Sequence, residues 1–249
     1  HDGFSLYDTR GLSDFDAPHS ACGRDLISEL VDECHKEDIL PFFYHTLIDW
    51  HEQTYKTDFS AYLDYLNKSI EILCTHYGKV GGFWFDGFWD KPDCDYWQFD
   101  RLYGTIRKYQ PTAMIINNTG LNALGQVSHK EIDSVTFERG KPCFVDNSDR
   151  PRAGETCEGM NDHWGYAAND FRYKPIERLT DTLLVCRENN CNLLLNTGLR
   201  GDGTITPVER EMLGYLGKWV RLNKAVVYNV QKCDVTADNA VVLFDGKWY

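Results

Sequence analysis

No run of apolar residues approaches the ~18 that a membrane-spanning helix needs, and the longest runs are only strand-length. No membrane partner is expected. Basic residues are in the minority: 26 Lys plus Arg face 38 Asp plus Glu, a net charge of −12 that repels phosphate backbones and argues against nucleic acid as a partner. Cys-x-x-Cys pairs are absent. The nine cysteines are odd in number and scattered through expected helices and strands, which excludes a disulfide-stapled scaffold and disfavours a zinc site. Most of them read as small buried hydrophobes, and no metal or other cofactor is expected. Low-complexity composition is missing too: 42% hydrophobic, 14% aromatic and 26% charged residues over 249 positions suit one sizeable globular domain. The sequons Asn67-Lys68-Ser69 and Asn117-Asn118-Thr119 fall in an expected helix and beside an expected strand, so chance explains them. Residue 1 is His with no charged-then-apolar leader, and Val241 to Tyr249 reads as strand, turn and the opening of another strand. Both ends are expected to be cut.

What is present alternates. Leu26, Ile27, Leu30, Val31 and Cys34 recur at helical spacing between Ala21 and Lys36, and the apolar run Ile39 to Tyr44 follows. Asp58 can cap a helix carrying Tyr62, Tyr65, Leu66, Ile70 and Leu73, before the run Gly81 to Phe85. Tyr96 to Tyr109 is amphipathic and leads into Ala113 to Ile116, with a further strand at Ile132 to Phe137. Residues 139–175, rich in Asp, Asn, Gly, Pro and Arg, are expected to form a long functional loop. Helix is expected over Ile176 to Glu188, strand over Cys191 to Asn196, and helix over Pro207 to Leu222 with Pro in its first turn.

Strand–helix alternation with continuously apolar strands predicts a parallel sheet buried on both faces, as in doubly wound sheets and (β/α)8 barrels. Polar and aromatic residues cluster after the strands, at Tyr44 to Trp50, Asp86 to Trp89, Asn117 and Asn118, Glu138 and Asn196, which favours the α/β barrel. Five strands are countable, so the barrel is expected to be incomplete at its N-terminus, with its first three strands upstream of His1. Residues 1–223 are read as the barrel and 224–249 as the start of a β-sandwich-like C-terminal domain.

Phe83-Trp84-Phe85-Asp86-Gly87-Phe88-Trp89-Asp90 sets a carboxylate at a strand end among aromatic rings. An isolated charge there is costly, so Asp86 either caps the next helix or is a nucleophile whose aromatic walls face a sugar ring. Glu138 ends the next strand but one. Two such strand ends can bring carboxyl groups to ~5–5.5 Å, the separation of a retaining glycosidase. The bland alternative pairs Glu138 with Arg139 or Lys141. Glu155 is the alternative acid/base, or a surface charge. His1, Tyr44, His45 and Trp50 could supply hydrogen bonds and a stacking face, and Trp164 is either a loop anchor or a sugar platform.

At these residues the chain resembles the α-L-fucosidases of glycoside hydrolase family 29, from His1 to about Tyr228. His1-Asp2-Gly3-Phe4 with Ser13-Asp14-Phe15-Asp16 resembles the family's His-His-Asp-Gly-Phe and the strand-turn after it, and Leu47-Ile48-Asp49-Trp50 its Leu-Asp-Trp segment. Phe83-Trp84-Phe85-Asp86-Gly87 is similar to the nucleophile strand, which implies Asp86 as nucleophile and Trp84 in the fucose pocket. Thr136-Phe137-Glu138 is similar to the Thr-x-Glu that carries the acid/base in some members. Glu155-Thr156-Cys157 before Trp164-Gly165-Tyr166 resembles the segment that carries it in others. Asn192 to Gly198 with Asp202-Gly203 is similar to the family's Leu-run signature, and Gly217-Lys218-Trp219 with Ala225 to Tyr228 to its closing helix and exit strand. Thr119, Ala153-Gly154 and Cys191 depart from the pattern. The resemblance implies a hydrolase that removes terminal α-linked L-fucose with retention, acting on a fucosylated oligosaccharide or glycoconjugate, in a truncated chain whose own turnover is in question. A non-catalytic fucose-binding barrel relic and another retaining glycosidase are the alternatives. Secreted, lysosomal and bacterial extracytoplasmic settings all stay open.

Overall fold

A computed structural model describes residues 1–121, 123–143, 145, 147–230, 233, 235, 237–238 and 240–247. The chain divides into two compact units, His1–Thr119 with Val127–Asp133, and Gly120–Gln126 with Ser134–Tyr249.

In the first unit the order is α1 (Leu26–Lys36), β1 (Phe42–Thr46), α2 (Thr54–Thr57), α3 (Phe59–His76), β2 (Gly82–Asp86), a 3-10 turn (Phe88–Asp90), α4 (Phe99–Tyr109) and β3 (Met114–Asn117). The three strands are parallel, with Tyr44 beside Trp84 and Trp84 beside Ile116. Asp58 caps α3 as expected, its carboxylate accepting from Ala61 N at 3.1 Å. The buried stripe of α3 includes Tyr62, Leu63, Leu66, Ile70 and Leu73. Each aliphatic member contributes roughly 1.5–3 kcal/mol by leaving water. Strand alternation turns Phe83 and Phe85 of β2 into this core and leaves Trp84 and Asp86 on the opposite, partly open face. That second face is not uniformly buried, because Phe42 and Tyr44 of β1 are exposed on it.

The second unit contains β4 (Ser134–Thr136), β5 (Ala153–Gly159), α5 (Ile176–Glu188), β6 (Cys191–Asn196), α6 (Pro207–Leu222) and α7 (Lys224–Tyr228). Its strands are also parallel, in the order β4-β5-β6. Strand β5 corrects the expectation of one long loop over residues 139–175. Its residues Gly154, Glu155, Thr156, Cys157 and Glu158 carry no hydrophobic signal, yet all are buried. A Cβ at Gly154 would collide with Cys191 Sγ on the paired strand, so packing itself selects the small residue. Helix α6 is capped by Thr206, whose hydroxyl accepts from Glu209 N at 3.2 Å and donates to Glu209 Oε2 at 2.9 Å, with Pro207 in the first turn.

Ala225 to Tyr228, expected as an exit strand, is the short helix α7. It follows α6 after Asn223, buries Val227 and packs on α5 and α6, so tertiary contact overrides β-branched propensity. Val241 to Leu243 form no strand, and Trp248 and Tyr249 lie outside the described residues. All nine cysteines are free, but only Cys74, Cys157, Cys186 and Cys191 are buried, fewer than expected. The sequon asparagines are occupied structurally: Asn67 Nδ2 donates to Leu63 O at 2.9 Å and Asn117 Nδ2 to Tyr103 Oη at 2.8 Å.

Candidate active site

Three segments of the first unit bring side chains to one carboxylate on a fourth. Asp86 is the last residue of β2, and its own carbonyl accepts from Leu47 N at 2.6 Å beyond the end of β1. The next residue, Gly87, has φ 96°, and a Cβ there would press on Ile48 at 3.0 Å, so the chain turns away from Asp86 in a left-handed conformation that glycine alone adopts easily. Tyr44 Oη donates to Asp86 Oδ2 at 2.7 Å. Asn118, one residue past β3, donates from Nδ2 to Oδ1 at 3.3 Å, while its backbone N extends the ladder to Phe85 O at 2.9 Å. His1 Nε2 stands 3.7 Å from Oδ2. Both carboxylate oxygens are therefore held in orientation, while the side chain keeps 19% of its surface open.

Aromatic rings flank this group. Tyr44 and Trp84 stack with centroids 5.7 Å apart, and the His1 ring lies 5.8 Å from Trp89, stacked, and 5.4 Å from Trp50, edge-on. Trp50 also fixes His1 through its backbone N, which donates to His1 O at 2.9 Å. Trp89 sits on the short turn after Gly87. Tyr55 donates to the Asp90 carboxylate there, Lys91 Nζ lies 4.9 Å from the Tyr55 ring, and burial together with Asp90 pushes the Tyr55 phenol pKa upward.

His1, Tyr44, Trp50, Trp84 and Asp86 thus come together as the sequence suggests. His45 does not join them. Next to Tyr44 on a strand, it points to the other face, where Nε2 meets Ser69 Oγ at 2.8 Å and Nδ1 donates to Thr46 O at 2.7 Å. Burial lowers its pKa to about 4, which leaves it a neutral structural imidazole. Two contributors had no role assigned from sequence, Asn118 and Trp89. The two asparagines that close the apolar run of β3, and the aromatic segment around Asp86, were their signals.

In the second unit, Glu138 and Glu155 lie on one face. Thr136 pairs with Glu155, and the ladder runs on through Phe137 N to Glu155 O at 2.9 Å and Arg139 N to Cys157 O at 3.0 Å. Glu138 is half-buried, two residues beyond the end of β4. Glu155 is buried early in β5, where Oε2 accepts from Asn192 Nδ2 at 3.0 Å. Trp164 is on the loop after β5, with the Arg139 guanidinium 4.2 Å above its ring. A third carboxylate, Glu158, drew no notice in the sequence. It faces opposite to Glu155 and pairs with Lys174 Nζ at 3.0 Å, both side chains nearly buried, and Lys174 also donates to Gly159 O at 2.5 Å and Asn161 O at 2.9 Å. No group of three or more potential metal ligands occurs among the described residues.

Known proteins share both sequence and fold with the chain. An α-L-fucosidase from Paenibacillus thiaminolyticus superposes with a TM-score of 0.84 at 29% identity, covering 99% of this chain and 64% of that one. The trapped covalent intermediate of an α-L-fucosidase from Bacteroides thetaiotaomicron, formed with 2-fluoro-fucosyl fluoride, superposes with a TM-score of 0.78 at 22% identity over 96% of this chain and 60% of that one. Human plasma α-L-fucosidase is 25% identical over 241 residues, 92% of this chain and 50% of that protein. The chain spans about half the length of the curated relatives it matches. With the α-L-fucosidase family model matching residues 1–225, the chain belongs to the α-L-fucosidase family.

Proposed function

We propose that the protein is a retaining α-L-fucosidase that hydrolyses terminal α-linked L-fucose from a fucosylated oligosaccharide or glycoconjugate, with Asp86 as nucleophile and Glu138 as acid/base. The observation that carries this reading is the Asp86 carboxylate at the end of β2, oriented by Tyr44 and Asn118 between aromatic faces. Trp84 and Tyr44 offer an apolar wall suited to the methyl and C–H face of a deoxyhexose, and His1 a polar group beside it. An Asp86 oxygen attacks the anomeric carbon as its bond to the aglycone oxygen breaks, and the Glu138 carboxyl gives that oxygen its proton. Glu138, now a carboxylate, then takes a proton from water whose oxygen attacks the same carbon and releases Asp86. The covalent intermediate trapped on the Bacteroides thetaiotaomicron enzyme supports a two-step course.

Glu138 is preferred to Glu155 on position. Barrel chemistry collects at the C-terminal ends of strands, where Glu138 stands, whereas Glu155 is buried near the start of its strand and bonded to Asn192. Trp164 fits an aglycone platform on the loop beyond β5. The test is turnover of an aryl α-L-fucoside by the natural full-length protein, followed by proton NMR. The expected first product is α-L-fucose; β-L-fucose would refute retention, and L-fucose binding without turnover would favour a non-catalytic relic.

A further inference from the structure

We propose that Arg139 is a positioning residue that aims the Glu138 carboxyl, an inference that rests on the reading of Glu138 as acid/base. Arg139 follows Glu138 directly and has φ 50°, a left-handed backbone that a residue with a side chain adopts only where its surroundings hold it there. Those surroundings are visible. The Arg139 backbone N donates to Cys157 O at 3.0 Å on β5, and Gly140 N closes the turn onto Phe137 O at 3.2 Å. Phe137 N is already bound to Glu155 O at 2.9 Å, so the chain is tied to β5 just before and just after Glu138, and the peptide between Phe137 and Glu138 is held by the turn itself.

The side chain then braces the turn from the other side. Its guanidinium lies 4.2 Å above the Trp164 ring, and Nη2 donates to Asp162 O at 2.8 Å. The segment it grips is itself rigidly tied. Asp170, 6% exposed, accepts from Asp162 N at 3.0 Å, His163 Nδ1 at 2.7 Å and Arg172 N at 3.0 Å. Arg139 thus links a strained turn that carries the acid to a loop anchored on a buried carboxylate. Proton transfer depends steeply on the distance and direction of the donor, and this strut sets both without touching substrate.

The experiment compares Arg139→Gly, Arg139→Lys and Glu138→Ala in the natural full-length protein on two fucosides, phenyl and 2,4-dinitrophenyl. Glycine accepts φ 50° and removes only the strut, and thermal melts confirm that each variant is folded. Arg139→Gly should lower kcat for the phenyl fucoside roughly ten- to a hundredfold and for the dinitrophenyl fucoside less than roughly threefold, because the second leaving group needs little protonation. Arg139→Lys should recover part of the loss, and Arg139→Gly combined with Glu138→Ala should be no slower than Glu138→Ala alone. Equal losses on both substrates, or a change confined to KM, would overturn the positioning role. If Glu138→Ala itself shows no leaving-group dependence, the acid/base assignment is what fails.

Discussion

The two units hold their candidate carboxylates differently. In the first, a single carboxylate collects His1, Tyr44 and Asn118 with the rings of Trp84, Trp50 and Trp89 close by, and it stays open to solvent. In the second, three carboxylates are set along β4, β5 and the turn between them, and they divide the work. Glu158 is paired with nearly buried Lys174, Glu155 is bonded to Asn192, and Glu138 stands at the strand end beside a strained turn. A carboxylate with buried, complete partners serves the fold; one that is held in orientation yet keeps an open side is available for chemistry.

The strongest way to break this contrast is Asp86→Gly. It should cut kcat by roughly 10⁴-fold or more, with azide restoring turnover and giving a fucosyl azide of the opposite anomeric configuration. Near-native turnover would remove Asp86 from the reaction. Glu158→Gln tests the other side. It leaves Lys174 nearly buried without its counter-charge, and urea unfolding should show a loss of about 3 kcal/mol. An unchanged midpoint would mean that the pair is not structural.

A smaller effect comes from His45. Its folded pKa of about 4 lies below the ordinary 6.5, so the unfolded chain binds the extra proton between those values. The stability it contributes is present above pH 6.5 and is lost as pH falls toward 4. Between pH 7 and pH 4.5 the loss should be about 2 kcal/mol, and His45→Gln should remove that part of the slope. A slope that survives the substitution would place the acid sensitivity elsewhere.

Sequence periodicity reached α3, α5, α6 and β6 because their apolar residues recur on one side, and α3 and α6 because Asp58 and Thr206 cap them in the usual way. It missed β5 because a strand wedged between two others can use Gly154, Thr156 and Cys157, where bulk comes from Cys191 on its neighbour. It misread Ala225 to Tyr228, where packing on α5 and α6 decides a five-residue segment against its propensity. At the site, the aromatic segment around Asp86 was legible, since a charge among rings demands a reason. The place of Asn118 after β3 was legible too, but its bond to Asp86 and the separation of His45 from Tyr44 were not, because both follow from strand register and facing.

The most direct test of the central claim is to incubate the natural full-length protein with 2-fluoro-fucosyl fluoride and map the adduct by peptide mass spectrometry. One fluorofucosyl ester on Asp86, absent from Asp86→Gly, is the predicted result. An adduct on Glu138, Glu155 or any other residue, or steady hydrolysis of aryl fucosides with no ester at Asp86, would contradict the account.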